Sequence, residues 1–308
     1  MLVCDEHVAS QVKTQRTTIY RVQDNRLSAA DALLERVQAK HDLVIGCGGC
    51  TALDVARYVG WRMPLILVPT IISTKCISVH RAILQKEDGT ELRLLRQQPI
   101  QTIVPTREIA NMPQELNRYW SISGVGDTLA EISAALDEAE CELPRPNFEA
   151  LLRRVPVASE ALDWALAGRI EYCEEAVVRK FAELSHHASL EILANPQHRY
   201  YRGSEHYFYY ALRRLPGFRW MPAHGWLVLL GSLLNAAVYR DSTGDATPWE
   251  TLRRACCSLG VPVSLTEWSQ IRVTSGDILI ALNAVDEPRS LFSRRRPFTA
   301  EWLHRTLA

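Results

Sequence analysis

The stretch Asp42-Leu43-Val44-Ile45-Gly46-Cys47-Gly48-Gly49-Cys50-Thr51-Ala52-Leu53-Asp54-Val55-Ala56-Arg57-Tyr58 decides how the rest of the chain is read. An apolar run, Leu43-Val44-Ile45, meets a turn rich in glycine, and a helix follows from Thr51 to Trp61. Glycines in such a turn let backbone amides approach a pyrophosphate, and the start of the helix favours negative charge. A strand-to-helix turn also needs glycine for purely steric reasons, so on this segment alone both readings stand. Cys47 and Cys50 form a Cys-x-x-Cys pair, a pattern of redox centres and half zinc sites, but no second pair accompanies it.

Outward from the turn the rhythm repeats. Leu2-Val3-Cys4 and Thr18-Ile19-Tyr20-Arg21-Val22 read as strands, and Leu65-Ile66-Leu67-Val68 as another, stopped by Pro69. Between them Ser28 caps a helix, with Asp31 answering three positions later and Leu33, Leu34 and Val37 as its apolar stripe. Strand, helix, strand predicts a parallel sheet with right-handed crossovers. Ala82-Ile83-Leu84 and Leu92-Arg93-Leu94-Leu95 flank Asp88-Gly89 as a hairpin, and Thr102-Ile103-Val104 adds a short strand. After Asn117 the β pattern fades, and helices are expected at 127–139, 160–167, 182–193, 205–215, 226–238 and 277–285. The expected architecture is an α/β Rossmann-like domain over residues 1–116 and an all-α domain over 117–308.

Composition narrows the function classes. The 308 residues are 47% hydrophobic and 23% charged, with 35 basic residues against 35 acidic ones. That balance argues against a chain that coats nucleic acid or anionic lipid. The run Arg294-Arg295-Arg296 reads as a solvated face. No apolar stretch approaches the roughly 20 residues needed to cross a bilayer. The first residues do not read as a signal peptide, and the eight scattered cysteines suit reduced thiols. A cytoplasmic protein acting on a small molecule, with a homo-oligomer left open, is the expectation.

The segment from Asp42 to Tyr58 resembles the Gly-Gly-Gly-x-x-x-Asp-x-Ala-Lys stretch of the iron-containing alcohol dehydrogenase/dehydroquinate synthase superfamily, most nearly its sn-glycerol-1-phosphate dehydrogenases. Val68-Pro69-Thr70-Ile71-Ile72-Ser73 is similar to the family's Pro-Thr-x-x-Ser turn, and Gly124-Val125-Gly126-Asp127-Thr128-Leu129-Ala130 to its Gly-x-Gly-Asp-x-x-Ala. Gly203-Ser204-Glu205-His206, Ala223-His224-Gly225 and Arg296-Pro297-Phe298-Thr299 follow in family order. The resemblance implies a dehydroquinate-synthase-like fold and an NAD(H) or NADP(H) oxidoreductase that interconverts an alcohol and a carbonyl. It implies a cofactor cradle of Asp5, Gly48, Gly49, Cys50, Asp54, Thr70 and Ser73. Asp5 beside the adenosine ribose would favour NAD, because a carboxylate repels a 2′-phosphate.

By the same resemblance Asp127, His206 and His224 are ligands of a Zn²⁺, Fe²⁺ or Ni²⁺ ion. One carboxylate and two imidazoles leave a position open for substrate, as catalytic sites do. Without the resemblance these residues read as helix caps and partly buried polar groups. His186, His187 and His198 read as structural or surface residues.

The departures from the family are specific. A Ser-His-Asp-Gly stretch becomes Ser73-Thr74-Lys75-Cys76, so a charge is reversed at a position that meets substrate hydroxyls. Cys50 replaces a third glycine, Tyr210 a histidine, and Trp226 a glutamate. Lys75 with Arg199 is the candidate partner for a substrate carboxylate or phosphate, against the alternative that Lys75 faces solvent. Two other functions remain open: a synthase-like enzyme with transient redox, and a non-catalytic relative serving as a scaffold or partner subunit.

Overall fold

A computed structural model describes residues 1–12, 17–37, 41–88, 90–168, 170–195, 199–216, 218 and 222–308. Gly89 of the expected hairpin turn and His198 lie outside the described residues. The first part of the chain alternates β1 (Leu2–Cys4), α1 (Glu6–Gln11), β2 (Ile19–Arg21), α2 (Leu27–Val37), β3 (Val44–Gly48), α3 (Cys50–Val59) and β4 (Leu65–Pro69). A hairpin of β5 (Arg81–Gln85) and β6 (Glu91–Leu95) precedes β7 (Gln101–Thr102), α4 (Thr106–Ala110) and the long α5 (Gln114–Ala139). The remainder is helical: α6 (Phe148–Leu152), α7 (Pro156–Leu166), α8 (Glu175–Ala194), the 3-10 turn Arg199–Tyr201, α9 (Ser204–Arg213) and α10 (His224–Thr243). It ends with α11 (Thr247–Leu259), α12 (Leu265–Gln270), α13 (Ser275–Ala284), α14 (Leu291–Arg295) and α15 (Ala300–Thr306). The expected fold class stands: a parallel sheet with helices, then a helix-rich remainder.

The sheet order is β2-β1-β3-β4-β7, every pair parallel. From β1 the chain crosses to one side and from β3 to the other, so the strand order reverses between these neighbours. In open α/β sheets that reversal leaves a crevice at the carboxyl ends of the strands, where ligands bind. Val3, Val44, Leu65 and Leu67 are buried at 0%, 0%, 1% and 0% exposure and pack with Leu53, Ala56 and Val59 of α3. The β5–β6 hairpin pairs as expected, Arg81 opposite Leu95.

Two local expectations give way. Ser28 does not cap α2: the helix already includes it, and its hydroxyl donates to Glu87. Asp31 instead accepts from the hydroxyl of Tyr58. The helix expected from Asp127 starts at Gln114, so Asp127 lies mid-helix and is no cap. Gly124 and Gly126 cost this helix roughly 1 kcal/mol each relative to alanine, which is why the pattern looked broken there.

The contacts divide the chain into two compact units, Met1–Ser121 with Tyr172–Pro196, and Ile122–Glu171 with Gln197–Ala308. This division and the expected boundary at 116/117 both fall inside α5, and α8 belongs with the first unit. Asn117 donates to the carbonyls of Ile109 (3.2 Å) and Tyr172 (2.7 Å), and Ser189 donates to that of Lys75 (2.7 Å). Such long-range bonds carry no local sequence signal.

In the second unit α10 is buried along almost its whole length, Leu227 to Tyr239, the signature of a central helix. No described helix is long and apolar enough to cross a membrane. The arginine run is not simply solvated. Arg294 and Arg295 pair with Glu140, and Arg296 with Asp286.

Candidate metal centre and nucleotide turn

In the second unit Asp127 from α5, His206 from α9 and His224 from α10 come together. His206 Nε2 stands 3.4 Å and His224 Nε2 3.5 Å from the same carboxylate oxygen, Asp127 Oδ1. The three ligand atoms all lie within 4.8 Å of one another. Ligands set tetrahedrally at 2.0–2.1 Å around zinc stand roughly 3.3–3.4 Å apart, so the two carboxylate–imidazole edges fit such an ion. The donor set, two imidazole nitrogens and one carboxylate oxygen, fits as well. Asp127 and His206 are 3% and 5% exposed, whereas the His224 side chain is 29% exposed. The site is therefore closed on its carboxylate side and open beside His224.

Close helix contacts place these ligands. A Cβ on Gly225 would lie 1.8 Å from the Ser123 carbonyl oxygen, and one on Gly126 would lie 2.5 Å from that of Gly225. The Gly225 amide donates to Ser123 Oγ at 3.1 Å. Asp127 and His224 are thus carried by backbones that touch, which only glycine permits.

Glu205, fully buried beside His206, was not singled out from the sequence, although it stands in the quoted Ser-Glu-His motif. Its Oε1 accepts from His206 Nδ1 at 2.7 Å and from the Gly203 amide at 2.8 Å. With Nδ1 donating, Nε2 keeps its lone pair for a ligand bond. Burial alone would raise the Glu205 carboxyl, but the bonds from His206 and Gly203 hold it below the ordinary range. Burial alone would lower His206, and the hydrogen bonds to Asp127 and Glu205 raise it instead. Nearby Asp137 is pushed up to about 7 by burial and by the charge of Glu205.

Tyr209 packs its ring edge-on against His224, centroids 4.4 Å apart. Tyr210, where the family has a histidine, stands with its ring 6.3 Å from that of His206. Trp226 is half-buried two residues beyond His224.

In the first unit, six of the seven expected cofactor residues cluster at the carboxyl ends of β1, β3 and β4. Asp5 follows β1 and caps α1 through the Val8 amide at 2.9 Å, and its Oδ2 accepts from Gly49 N–H at 3.3 Å. Gly48 adopts φ +143°, and a Cβ there would meet Asp5 Oδ2 at 2.4 Å. Gly49 precedes α3 without a side-chain cap. Thr70 N–H donates to the Gly48 carbonyl at 3.1 Å, and Cys50 Sγ lies 3.1 Å from Ser73 Oγ. The seventh, Asp54, is buried in an ion pair with Arg57 at 2.9 Å. Arg57 also donates to the carbonyls of Cys76 and Ile77, so this pair ties α3 to the segment after β4. Cys47 is pushed up to about 11 by burial, which weighs against a reactive thiolate at a redox Cys-x-x-Cys.

Lys75 is 1% exposed, which overturns the solvent-facing alternative. Arg199 opens the 3-10 turn, and its side chain lies outside the described residues. His186 and His187 are exposed on α8, His186 Nδ1 lying 3.0 Å from Ser78 Oγ.

Residues 3–113 match the family model of the iron-containing alcohol dehydrogenases. A glycerol-1-phosphate dehydrogenase (NAD(P)+) of Pyrobaculum neutrophilum is 28% identical over 240 residues, covering 76% of this chain and 67% of that protein. A probable glycerol dehydrogenase from Sinorhizobium meliloti 1021 superposes with TM-score 0.68 at 17% identity, over 99% of this chain and 88% of that one. A sulfoacetaldehyde reductase from Bifidobacterium kashiwanohense, solved in complex with NAD+, gives TM-score 0.64 at 15% identity, over 99% and 89%. The chain spans about two thirds of the length of the first of these relatives. In sequence it is similar to the glycerol-1-phosphate dehydrogenases, and its fold is that of the iron-containing alcohol dehydrogenases and glycerol dehydrogenases.

Proposed function

We propose that this chain is a metal-dependent NAD(P)(H) oxidoreductase that interconverts an alcohol and a carbonyl on a small polar substrate. The observation that carries the reading is the convergence of His206 and His224 on one oxygen of Asp127, at 3.4 and 3.5 Å. Asp127, His206 and His224 would hold a divalent ion that would supply polarisation of the substrate C–O bond, and a nicotinamide at the turn would supply or take the hydride. The chain's own residues do the rest. Glu205 keeps Nε2 of His206 directed at the ion. The amides at Gly48 and Gly49 and the start of α3 receive the pyrophosphate. Asp5 accepts from the adenosine ribose and favours NAD over NADP, while Thr70 and Ser73 line the nicotinamide end. The basic residues Lys75 and Arg199, each in its own unit, support a substrate bearing a phosphate or carboxylate. sn-Glycerol 1-phosphate and small anionic carbonyl compounds are the substrates to try first. The eight free cysteines support a reducing, cytoplasmic setting, and a homo-oligomer is compatible with it.

Two observations favour a second reading, a relative that keeps the metal and has lost the cofactor. The Gly49 amide is already bonded to Asp5, and Cys50 brings a side chain to the turn.

Elemental analysis with NADH and NADPH titrations on the same preparation separates these readings. About one divalent ion per chain with micromolar NADH binding supports the oxidoreductase. Metal without cofactor moves the choice to the second reading, and neither removes the site altogether.

A further inference from the structure

Helix α9 delivers His206 from its third residue, so whatever fixes the start of α9 fixes the ligand. Its own N-cap cannot do this: Gly203 has no side chain, and no side-chain cap bond is made there. The bond comes from another helix. Asp137 of α5, 6% exposed, accepts from Ser204 N–H through Oδ2 at 2.6 Å and from Ser204 Oγ through Oδ1 at 2.6 Å. Its Oδ1 also accepts from Leu291 N–H at 3.0 Å, at the start of α14. Ser204 Oγ in turn lies 2.6 Å from Ser290 Oγ. The approach is close enough that a Cβ on Gly203 would stand 2.6 Å from both Asp137 Oδ2 and Ala134 Cα.

Asp127 and Asp137 share α5, ten residues or about 15 Å apart along the axis. The rod that carries one metal ligand therefore also holds the first turn of the helix that carries the next. We infer that Asp137 is a positioning residue for the metal centre, clamping the N-terminus of α9 so that His206 keeps its place against Asp127. The inference rests on reading Asp127, His206 and His224 as metal ligands. Asp137 is not one of the three proposed ligands. It acts through Ser204, one step further from the ion than Glu205, so its loss should cost less than the roughly 10–100-fold in metal affinity of a direct partner of a ligand.

The test compares wild type, D137N, D137A and S290A in Zn²⁺ titrations against a competing chelator. Cobalt(II) absorption spectra and hydrogen exchange on the metal-free proteins complete it. D137A should bind Zn²⁺ more weakly, by up to roughly 10-fold, and its cobalt bands should shift. In the metal-free protein its amides 204–208 should exchange faster while those of α10 do not. D137N, which keeps one acceptor oxygen, should fall between wild type and D137A. If D137A does not fold, D137N and S290A should still weaken binding, by smaller factors. A general loss of stability would instead raise exchange throughout the second unit and leave the cobalt spectrum of the bound ion unchanged, which overturns the inference. Equal zinc affinity in wild type and D137A overturns it alone. A wild-type protein that binds no divalent ion overturns the metal reading and this inference with it.

Discussion

The nucleotide turn and the metal centre are built by opposite means. The turn is local: Asp5, Gly48, Gly49, Thr70 and Ser73 stand at the ends of adjacent parallel strands, and its working groups are backbone amides. The metal centre is assembled from helices far apart in sequence, held by backbone contacts at Gly126 and Gly225 and oriented by the buried Glu205. Against the family it resembles, the turn carries Cys50 and the surroundings of the metal centre carry Tyr210 and Trp226, while the proposed ligands Asp127, His206 and His224 all match. A backbone-based site tolerates side-chain change at its rim. A ligand set tolerates none, because each member supplies an atom of the coordination sphere.

That contrast is open to direct attack. The largest effect is expected from Asp127→Ala, which removes the oxygen that both imidazoles face. Metal should be lost and turnover should fall at least 100-fold, since even outer-shell changes cost roughly 10–100-fold. NADH binding at the turn should persist, and joint loss of both would show that the two sites are not separately built. Gly48→Ala is the converse experiment. With φ at +143° and Asp5 Oδ2 2.4 Å from the new Cβ, the turn must deform. Backbone strain of this kind costs about 1–3 kcal/mol. Calorimetry should show NADH binding weakened by about that amount, with metal content unchanged.

How much of this was legible follows from the same contrast. The strand, turn and helix from Val44 to Val59 could be read directly, because period and glycine placement are local properties. Asp127, His206 and His224 could be named as candidate ligands only through the ordered set of motifs shared with the family the chain resembles. Taken alone, Asp127 read as a helix cap, and the start of α5 at Gln114 was hidden by the glycines that let it pack. The burial of Lys75 and the transfer of α8 to the first unit depend on contacts between residues about 70 to 110 apart, such as Thr106 with Glu175 and Ser78 with Ser189. Helices α12 and α13 did carry local signals, the capping boxes Ser264/Glu267 and Thr274/Asp277. The first was passed over.

Asp54 sharpens the comparison from the side of stability. Burial pushes its carboxyl up to about 6 from an ordinary 3.8, against the opposing pull of Arg57. Folding therefore favours the protonated form. The stabilisation is complete below about pH 4 and is lost as the pH rises through about 6. In urea unfolding, wild type should gain on Asp54→Asn as the pH falls from 7 to 4. Parallel curves would mean that Asp54 keeps its charge throughout, and the metal centre should be indifferent to the change.

The smallest effect, and the most informative about the turn, is expected from Cys50→Gly. Cys50 is the first residue of α3, and its thiol rests 3.1 Å from Ser73 Oγ. Glycine at this position would restore the family pattern and clear the side chain from the approach to the helix N-terminus. It would also loosen the start of α3, where glycine costs at most about 1 kcal/mol relative to alanine. If the thiol obstructs the pyrophosphate, relief should outweigh that loss and NADH should bind a few-fold more tightly. If the thiol merely packs against Ser73, affinity should stay the same or fall slightly as the helix start frays. Tighter binding would mean that the turn has drifted from a working cradle. Unchanged binding would mean that Cys50 is accommodated, and that the turn, like the metal centre, remains fit for its cofactor.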